Sequence, residues 1–65
     1  MNLIVNGAPR ELADAATVAD LLRELNATPP FAVAVNTTFI PAAQHAAHIL
    51  QAGDQVEVIS PVTGG

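Results

Sequence analysis

One apolar stripe with helical spacing divides this chain into two β-rich parts. The stripe recurs at i, i+3, i+4 and i+7 and consists of Val18, Leu21, Leu22 and Leu25. Thr17 before it, with Asp20 in the first turn, is the pattern of a helix N-cap. Asn26 and the Pro-Pro pair that follows prevent continuation. The sequence therefore predicts one helix over residues 18–26, with its leucine face on a sheet.

The residues before this helix predict a β-hairpin. Leu3 to Val5 form an apolar, mostly β-branched run, and the Asn-Gly pair after it is a strong two-residue turn signal. Residues Arg10 to Ala13 can return as the partner strand. Pro9 stands near the start of that strand, where a missing backbone donor is tolerated. We expect the turn around residues 6–9.

The residues after the helix predict further strands. Phe31 to Val35 is an apolar run without alternation, typical of a central strand buried on both faces. A turn leads into Phe39-Ile40, and residues 42–48 suit a helical turn or irregular loop. Ile49-Leu50 offers a short edge strand. The last strand is predicted over Gln55 to Ser60, where the alternation puts two valines on one face and Glu57 on the other.

This order of elements defines an α+β domain. A hairpin, a crossing helix and a last strand that returns beside the first, parallel to it, form the β-grasp (ubiquitin-like) arrangement. We expect a mixed sheet of four to five strands with one main helix packed across it. The domain is predicted over residues 1–60, with a flexible tail over residues 61–65.

The tail is the most distinctive stretch for function. Pro61 removes a backbone donor and stops the strand, and only Val62 and Thr63 carry side chains before Gly64 and Gly65. Glycines lack Cβ and pass through narrow channels, and five residues reach at most ~16–18 Å. Two interpretations stand at this point: a carboxylate on Gly65 delivered into another protein's pocket, or a frayed chain end.

Composition excludes several classes of function. The net charge is −4, with six acidic residues, two arginines (Arg10 and Arg23) and no lysine. Nucleic-acid binding and an anionic membrane surface are therefore disfavoured. The absence of cysteine excludes disulfides and thiolate metal sites, which fits a reducing cytoplasm. The chain begins directly in a strand pattern, and we see no signal peptide.

The remaining polar residues give no pattern of a metal site or of a catalytic site. His45 and His48 are three residues apart and could share a metal, but no third ligand is evident, so solvated loop histidines are preferred and no metal is predicted. Asp14, Asp20 and Glu24 are interpreted as solvated charges, not as paired catalytic carboxylates. No nucleophile, phosphate loop or triad pattern is found. We therefore predict no catalytic residue.

A docking surface is predicted near the tail. If Phe39-Ile40 is a short strand near the last one, one of its side chains can stay exposed and form an apolar patch with Pro61. The alternative is that both side chains complete the core. Phe39, Ile40 and Pro61 are therefore the candidate docking residues.

As a set, these patterns resemble one family across essentially the whole chain. The residues that carry the resemblance are Ile4-Val5-Asn6-Gly7, Thr17-Val18-Ala19-Asp20-Leu21-Leu22, Val33-Ala34-Val35-Asn36, Ile40-Pro41, Leu50, Gly53-Asp54, Val56-Glu57-Val58 and Gly64-Gly65. The chain resembles the ThiS family, the bacterial sulfur carriers of thiamin biosynthesis. Two departures concern a loop in which the family usually has an arginine and an aromatic, where this chain has Ala42 and His45.

The resemblance implies a carrier and not an enzyme. A ThiF-like enzyme would use ATP to adenylate Gly65, and a persulfide donor would convert it to a thiocarboxylate. Val62, Thr63 and Gly64 would form the slim passage of the tail. A ThiG-like thiazole synthase would take the sulfur. No bound cofactor is implied, and we expect the free protein to be a monomer.

Two other functions stay open. The chain end also resembles MoaD, the small subunit of molybdopterin synthase, which is a sulfur carrier for another pathway. The third reading is a ubiquitin-like interaction module whose tail is never activated.

Overall fold

The computed structural model describes residues 1–27 and 31–59. Its elements are β1 (Asn2–Val5), β2 (Ala8–Glu11), α1 (Val18–Glu24), β3 (Ala32–Val35), β4 (Thr38–Ile40), a 3₁₀ turn (Ala42–Gln44) and β5 (Gln55–Ile59). The strands form one mixed sheet in the order β2-β1-β5-β3-β4. One helix and a five-stranded mixed sheet confirm the predicted β-grasp fold. The predicted tail and its boundary at residues 60 and 61 lie outside the described residues.

Two tight turns set the registers of the hairpins. Asn6 and Gly7 join β1 to β2 with φ values of 51° and 81°, and Asn36 and Thr37 join β3 to β4 with 51° and 70°. Positive φ at both central positions is the geometry whose twist matches that of paired strands. The first hairpin is confirmed, but its return strand begins at Ala8 instead of Arg10, because this turn uses only two residues.

The parallel pairing of the first and last strands is also confirmed. Ile4 pairs with Gln55 and Val5 with Val56. The Ile4 N–H donates to the Asp54 carbonyl at 3.0 Å, and the Asn6 N–H donates to the Val56 carbonyl at 2.9 Å. The last strand is therefore held inside the sheet.

The prediction that β3 is the central strand is wrong, because β5 takes that place. β3 is also not buried on both faces: Val33 and Val35 lie in the core, whereas Ala32 and Ala34 are only half-buried on the outer face. Alanine counts as apolar in a sequence pattern, yet it is small enough to be tolerated on an open face. That is why the run looked continuous.

The core lies between α1 and the inner face of the sheet. Its buried members are Leu3, Val5, Leu12, Ala16, Val18, Leu21, Leu22, Val33, Val35, Ile40, Leu50 and Val56. The predicted helix is confirmed but ends earlier, at Glu24. Asn26, with φ 53°, has the left-handed conformation that terminates helices. Within the described residues, no helix is long and apolar enough to cross a membrane.

The prediction of an edge strand at Ile49-Leu50 is wrong. Ile49 forms only an isolated bridge with Thr17, and the Leu50 N–H donates to the Ala16 carbonyl at 2.8 Å. This segment lies against the start of α1. The carbonyl of His48, the residue before Ile49, accepts from the Val18 N–H at the start of the helix, at 3.0 Å. The edges of the sheet are β2 and β4.

A reciprocal capping box begins α1. The Thr17 side chain accepts from the Asp20 N–H at 3.2 Å, and the Asp20 carboxylate accepts from the Thr17 N–H at 2.9 Å. These two bonds satisfy donors that a helix start otherwise leaves unpaired. The backbone and side-chain bonds from Thr17, with the charge of Arg23, hold the pKa of Asp20 below its ordinary value.

The Asp20 carboxylate makes the stability of the domain depend on acid pH. Its pKa is lower in the folded chain, so its contribution is present above about pH 4, the unfolded value. That contribution is lost as the pH falls through the folded pKa. We expect Asp20→Asn to flatten the decline of the melting temperature between pH 5 and pH 3. Glu11→Gln, an exposed acid outside α1, is the control, and equal slopes in Asp20→Asn and the parent chain would contradict this.

Candidate functional site

The strand that leads into the tail, β5, is paired with a neighbouring strand on each side. On one side β1 pairs in parallel with β5, and on the other β3 pairs antiparallel, with Ala32 opposite Ile59. β1 ends before β5 does, and the Asn6 side chain replaces the missing backbone there: its Oδ1 accepts from the Val58 N–H at 2.8 Å. The last described residues are therefore anchored in the middle of the sheet.

A second polar network fixes the start of β5. The Asn36 backbone N–H donates to the Gln55 carbonyl at 2.7 Å, and the Gln55 N–H donates to Asn36 Oδ1 at 2.9 Å. Asp54 accepts from the Asn36 side chain at 2.9 Å and from the Gln51 N–H at 2.8 Å. These bonds connect the turn before β5 to the β3–β4 hairpin. Asn36 and Asp54 are both among the residues that carry the resemblance.

An apolar patch lies on the outer face of the sheet, next to the end of β5. The patch, called here the outer patch, consists of the apolar residues Ala32, Ala34, Phe39 and Ile59 together with one charged residue, Glu57. Phe39 lies opposite Ala34 and Ala34 opposite Glu57, while Ala32 lies opposite Ile59. Phe39 is 62% exposed and Ile59 is 60% exposed. The two small alanines between them leave both large side chains open to contact.

The structure separates the predicted docking residues. Ile40 is 5% exposed and belongs to the core, so it offers no docking surface. Phe39 is the exposed member of the pair, and Pro61 lies outside the described residues. Ile59 was missed, although the alternation that puts Glu57 on the outer face also puts residue 59 there.

The outer patch carries one uncompensated charge. Within residues 1–27 and 31–59, the ion pairs are Arg23 with Asp20 at 2.8 Å, Arg10 with Glu24 at 3.8 Å, and the N-terminal amine with Asp14 at 3.4 Å. Both arginines are thus engaged with acids of α1, and neither reaches Glu57. The acids interpreted as solvated charges are these surface partners, and Asp20 is in addition a helix cap.

His45 is not the solvated loop residue predicted from the sequence. It is 7% exposed, and its Nε2 lies 2.9 Å from the Ile40 carbonyl. Its ring stacks on Phe31 with centroids 5.9 Å apart. A planar ring is therefore buried at the position where the resemblance stated above implies an aromatic. The described residues contain no group of three or more potential metal ligands.

The predicted tail residues Val62, Thr63, Gly64 and Gly65 lie outside the described residues, so their roles stay predictions. The described residues form a small domain in which β5, the strand before the tail, lies inside the sheet, with an exposed apolar patch beside its end. None of the side-chain hydrogen bonds within the described residues joins a serine or threonine hydroxyl to a histidine.

Comparison with known proteins identifies the family. A model of the ThiS family matches residues 3–65. The sulfur carrier protein ThiS of Escherichia coli (strain K12) is 33% identical over 66 residues, covering 100% of both chains. The crystal structure of the thiamine biosynthesis protein ThiS from Geobacter metallireducens has a TM-score of 0.84 at 30% identity, covering 100% of both chains. The chain therefore belongs to the ThiS family of sulfur carrier proteins.

Proposed function

We propose that this chain carries sulfur for thiazole formation in thiamin biosynthesis, as a thiocarboxylate on Gly65. The observation that carries the proposal is the family match, which runs to Gly65 itself. The fold supports it, because the tail continues from a strand held between two neighbours. Such an anchor fixes the position at which the described part of the chain ends.

The chemistry requires only a reachable carboxylate on this chain. A Gly65 oxygen attacks the α-phosphorus of ATP in a ThiF-like enzyme, and pyrophosphate leaves. A persulfide sulfur of the donor then attacks the acyl carbon, and AMP leaves. A thiol reduces the resulting acyl disulfide, which releases the thiocarboxylate and a new disulfide. A ThiG-like thiazole synthase receives that sulfur.

The described residues supply recognition in this scheme. Exposed apolar side chains with few charges are typical of the centre of protein interfaces, and Phe39 and Ile59 fit that role beside the tail. Glu57 favours a cation on the partner. In the tail, Gly64 adds no Cβ to the channel, and Val62 and Thr63 precede it.

The decisive experiment measures the mass of the C-terminal fragment. The chain is incubated with ATP, a ThiF-type adenylating enzyme and a persulfide donor, then cleaved with trypsin. Arg23 is the last cleavage site, and the fragment 24–65 contains no methionine. Oxidation of Met1 therefore cannot imitate the mass gain. A gain equal to one oxygen-to-sulfur exchange on this fragment supports the carrier function.

Two outcomes would overturn the pathway or the function. In the first, only the activator of a MoaD-type protein loads the chain with sulfur, and the loaded chain then binds a molybdopterin synthase large subunit. That result would assign the chain to molybdenum cofactor synthesis. A chain that binds partners but is never loaded would be an interaction module.

Phe39→Ala should weaken binding of the adenylating enzyme without unfolding the chain. Loss of an exposed aromatic at an interface centre costs about 1–2 kcal/mol, roughly five- to thirtyfold in Kd. The melting temperature should stay nearly unchanged because Phe39 lies outside the core. Ile49→Ala is the matched control, since Ile49 is 57% exposed but lies outside the outer patch. Equal affinities of the two variants, measured by titration calorimetry, would reject the patch.

A further inference from the structure

The two edges of the sheet expose different backbone groups. In an antiparallel hairpin with a two-residue turn, the pair next to the turn is hydrogen-bonded and the following pair is not. In β1–β2 the second pair is Ile4 with Pro9, and in β3–β4 it is Ala34 with Phe39. The backbone groups of Pro9 and Phe39 therefore point outward, away from the sheet.

The β4 edge suits an added strand better than the β2 edge, where the outward-pointing residues by the same alternation are Pro9 and the charged Glu11. Pro9 has no N–H, which is a known way to block an edge. Phe39 has both an N–H and a C=O, and among the described residues no turn or loop hydrogen bond uses either group. Past Phe39 the edge is closed, because Pro41 lacks an N–H and its carbonyl accepts from the Gln44 N–H at 2.8 Å. The open edge is thus a single donor and acceptor at Phe39.

The charge distribution favours a contact at this edge. Residues 25–53 contain no Asp, Glu, Lys or Arg, and they include both β3 and β4. The β2 edge, by contrast, carries Arg10 and Glu11. Charged residues are depleted at interface centres because they must lose water there. The open edge is therefore also the uncharged one.

The open edge lies two strands away from β5, near the end at which β5 finishes. β5 runs antiparallel to β3, so β5 ends at the side of the sheet where β3 begins and β4 finishes. The Phe39 side chain belongs to the outer patch, while its backbone belongs to the edge. A protein that takes the tail therefore reaches both features with one surface.

We infer that β4 is a strand-addition site for the enzyme that activates the tail. An extended, uncharged segment of that enzyme pairs with Phe39, accepting from its N–H and donating to its C=O. An apolar side chain of the segment lies against the phenyl ring. This inference rests on the proposed function, and it adds the mode by which the partner is recognised.

A partner enzyme fits this edge better than a second copy. Stable interfaces bury about 1,600 Å² in total, whereas two copies paired through β4 would join strands of three residues each. An enzyme that holds the tail covers the edge, the outer patch and the tail together. A second copy is nevertheless a distinct outcome of the test.

Hydrogen exchange at the Phe39 amide tests the inference. Amide hydrogens are exchanged for deuterium in the free chain and in its complex with the ThiF-type enzyme and ATP. Exchange is then quenched, the complex is dissociated, and the remaining amide hydrogens of the chain are measured by NMR. We expect fast exchange in the free chain and at least about tenfold slower exchange in the complex. The Thr38 and Ile40 amides, which lie in the β3–β4 ladder, serve as internal controls. Unchanged exchange at Phe39 while Gly65 is loaded with sulfur overturns the inference and leaves the proposed function intact.

Two other results are equally clear. Protection of Phe39 that rises with the concentration of the free chain would assign the edge to a second copy and overturn the assignment to the enzyme. If the chain forms no complex with the enzyme and Gly65 is not loaded with sulfur, both the inference and the proposed function are rejected.

A pair of variants at residue 39 isolates the backbone donor. Phe39→Ala removes the ring and keeps the N–H, whereas Phe39→Pro removes both, as Pro9 does at the matching position of the other edge. We expect Phe39→Pro to bind the enzyme about five- to tenfold more weakly than Phe39→Ala, the value of one hydrogen bond. Equal affinities of two folded variants would overturn the inference. The exchange measurement decides the question if Phe39→Pro does not fold.

Discussion

A chain that ends at Thr63 is expected to accept no sulfur. Removal of Gly64 and Gly65 leaves a carboxylate, but places it about 7 Å short of its former reach and on a β-branched residue. The partner channel must then admit a Cβ and a branched side chain where two glycines passed. The mass of the C-terminal fragment should therefore show no exchange of oxygen for sulfur.

The truncated chain should keep its fold, which makes the result interpretable. Among residues 1–27 and 31–59, the buried core residues lie between Leu3 and Val56, so we expect the melting temperature not to change. Gly64→Ala is the matched variant, because it keeps the length and adds one Cβ; we expect slower loading with the same end product. Sulfur loading of the truncated chain at the rate of the full chain would contradict a reaction on Gly65.

Local patterns in the sequence were sufficient for the elements with strong signals. The Asn6-Gly7 turn, the helix with its Thr17 cap and the last strand are each determined by neighbouring residues. The parallel closure of β1 on β5 also followed, since a hairpin followed by a crossing helix returns the chain beside its first strand. The fold class could therefore be predicted from sequence alone.

Features that depend on distant partners were predicted less well. The alanines of β3 gave no sign of which face they occupy, so β3 was placed at the centre that β5 holds. The Ile49-Leu50 segment has strand-like residues, yet its partners are the Ala16 and Thr17 backbone groups at the start of α1. His45 is polar by type, and only its contacts with Ile40 and Phe31 bury it.

The candidate site shows the same division. The role of Gly65 was implied by the resemblance and stays a prediction. The sequence offered Phe39, Ile40 and Pro61 as docking residues, and the exposure that separates Phe39 from Ile40 depends on the pairing of β4. The open edge at Phe39 follows from the register of the hairpin, which propensities do not determine.

Leu21→Ala is expected to remove most of the stability of the domain. Leu21 is fully buried among the core residues that join α1 to the sheet. A leucine-to-alanine change at such a site costs about 2–5 kcal/mol, and domains below about 70–80 residues rarely have more than about 3–5 kcal/mol in total. Urea and thermal unfolding curves should therefore show that a large fraction of Leu21→Ala is unfolded at 37 °C. Ile49→Ala, which removes an exposed side chain, should change the free energy of unfolding by less than about 0.5 kcal/mol.

The same variant separates a folding defect from a chemical one. Binding to the folded state shifts the folding equilibrium by mass action, so a saturating concentration of the adenylating enzyme should restore much of the sulfur loading of Leu21→Ala. No concentration of enzyme should restore the chain that ends at Thr63, because that chain is folded and lacks the reacting end. If instead excess enzyme rescued the truncated chain and not Leu21→Ala, then the assignment of Leu21 to stability and of Gly65 to chemistry would both be wrong.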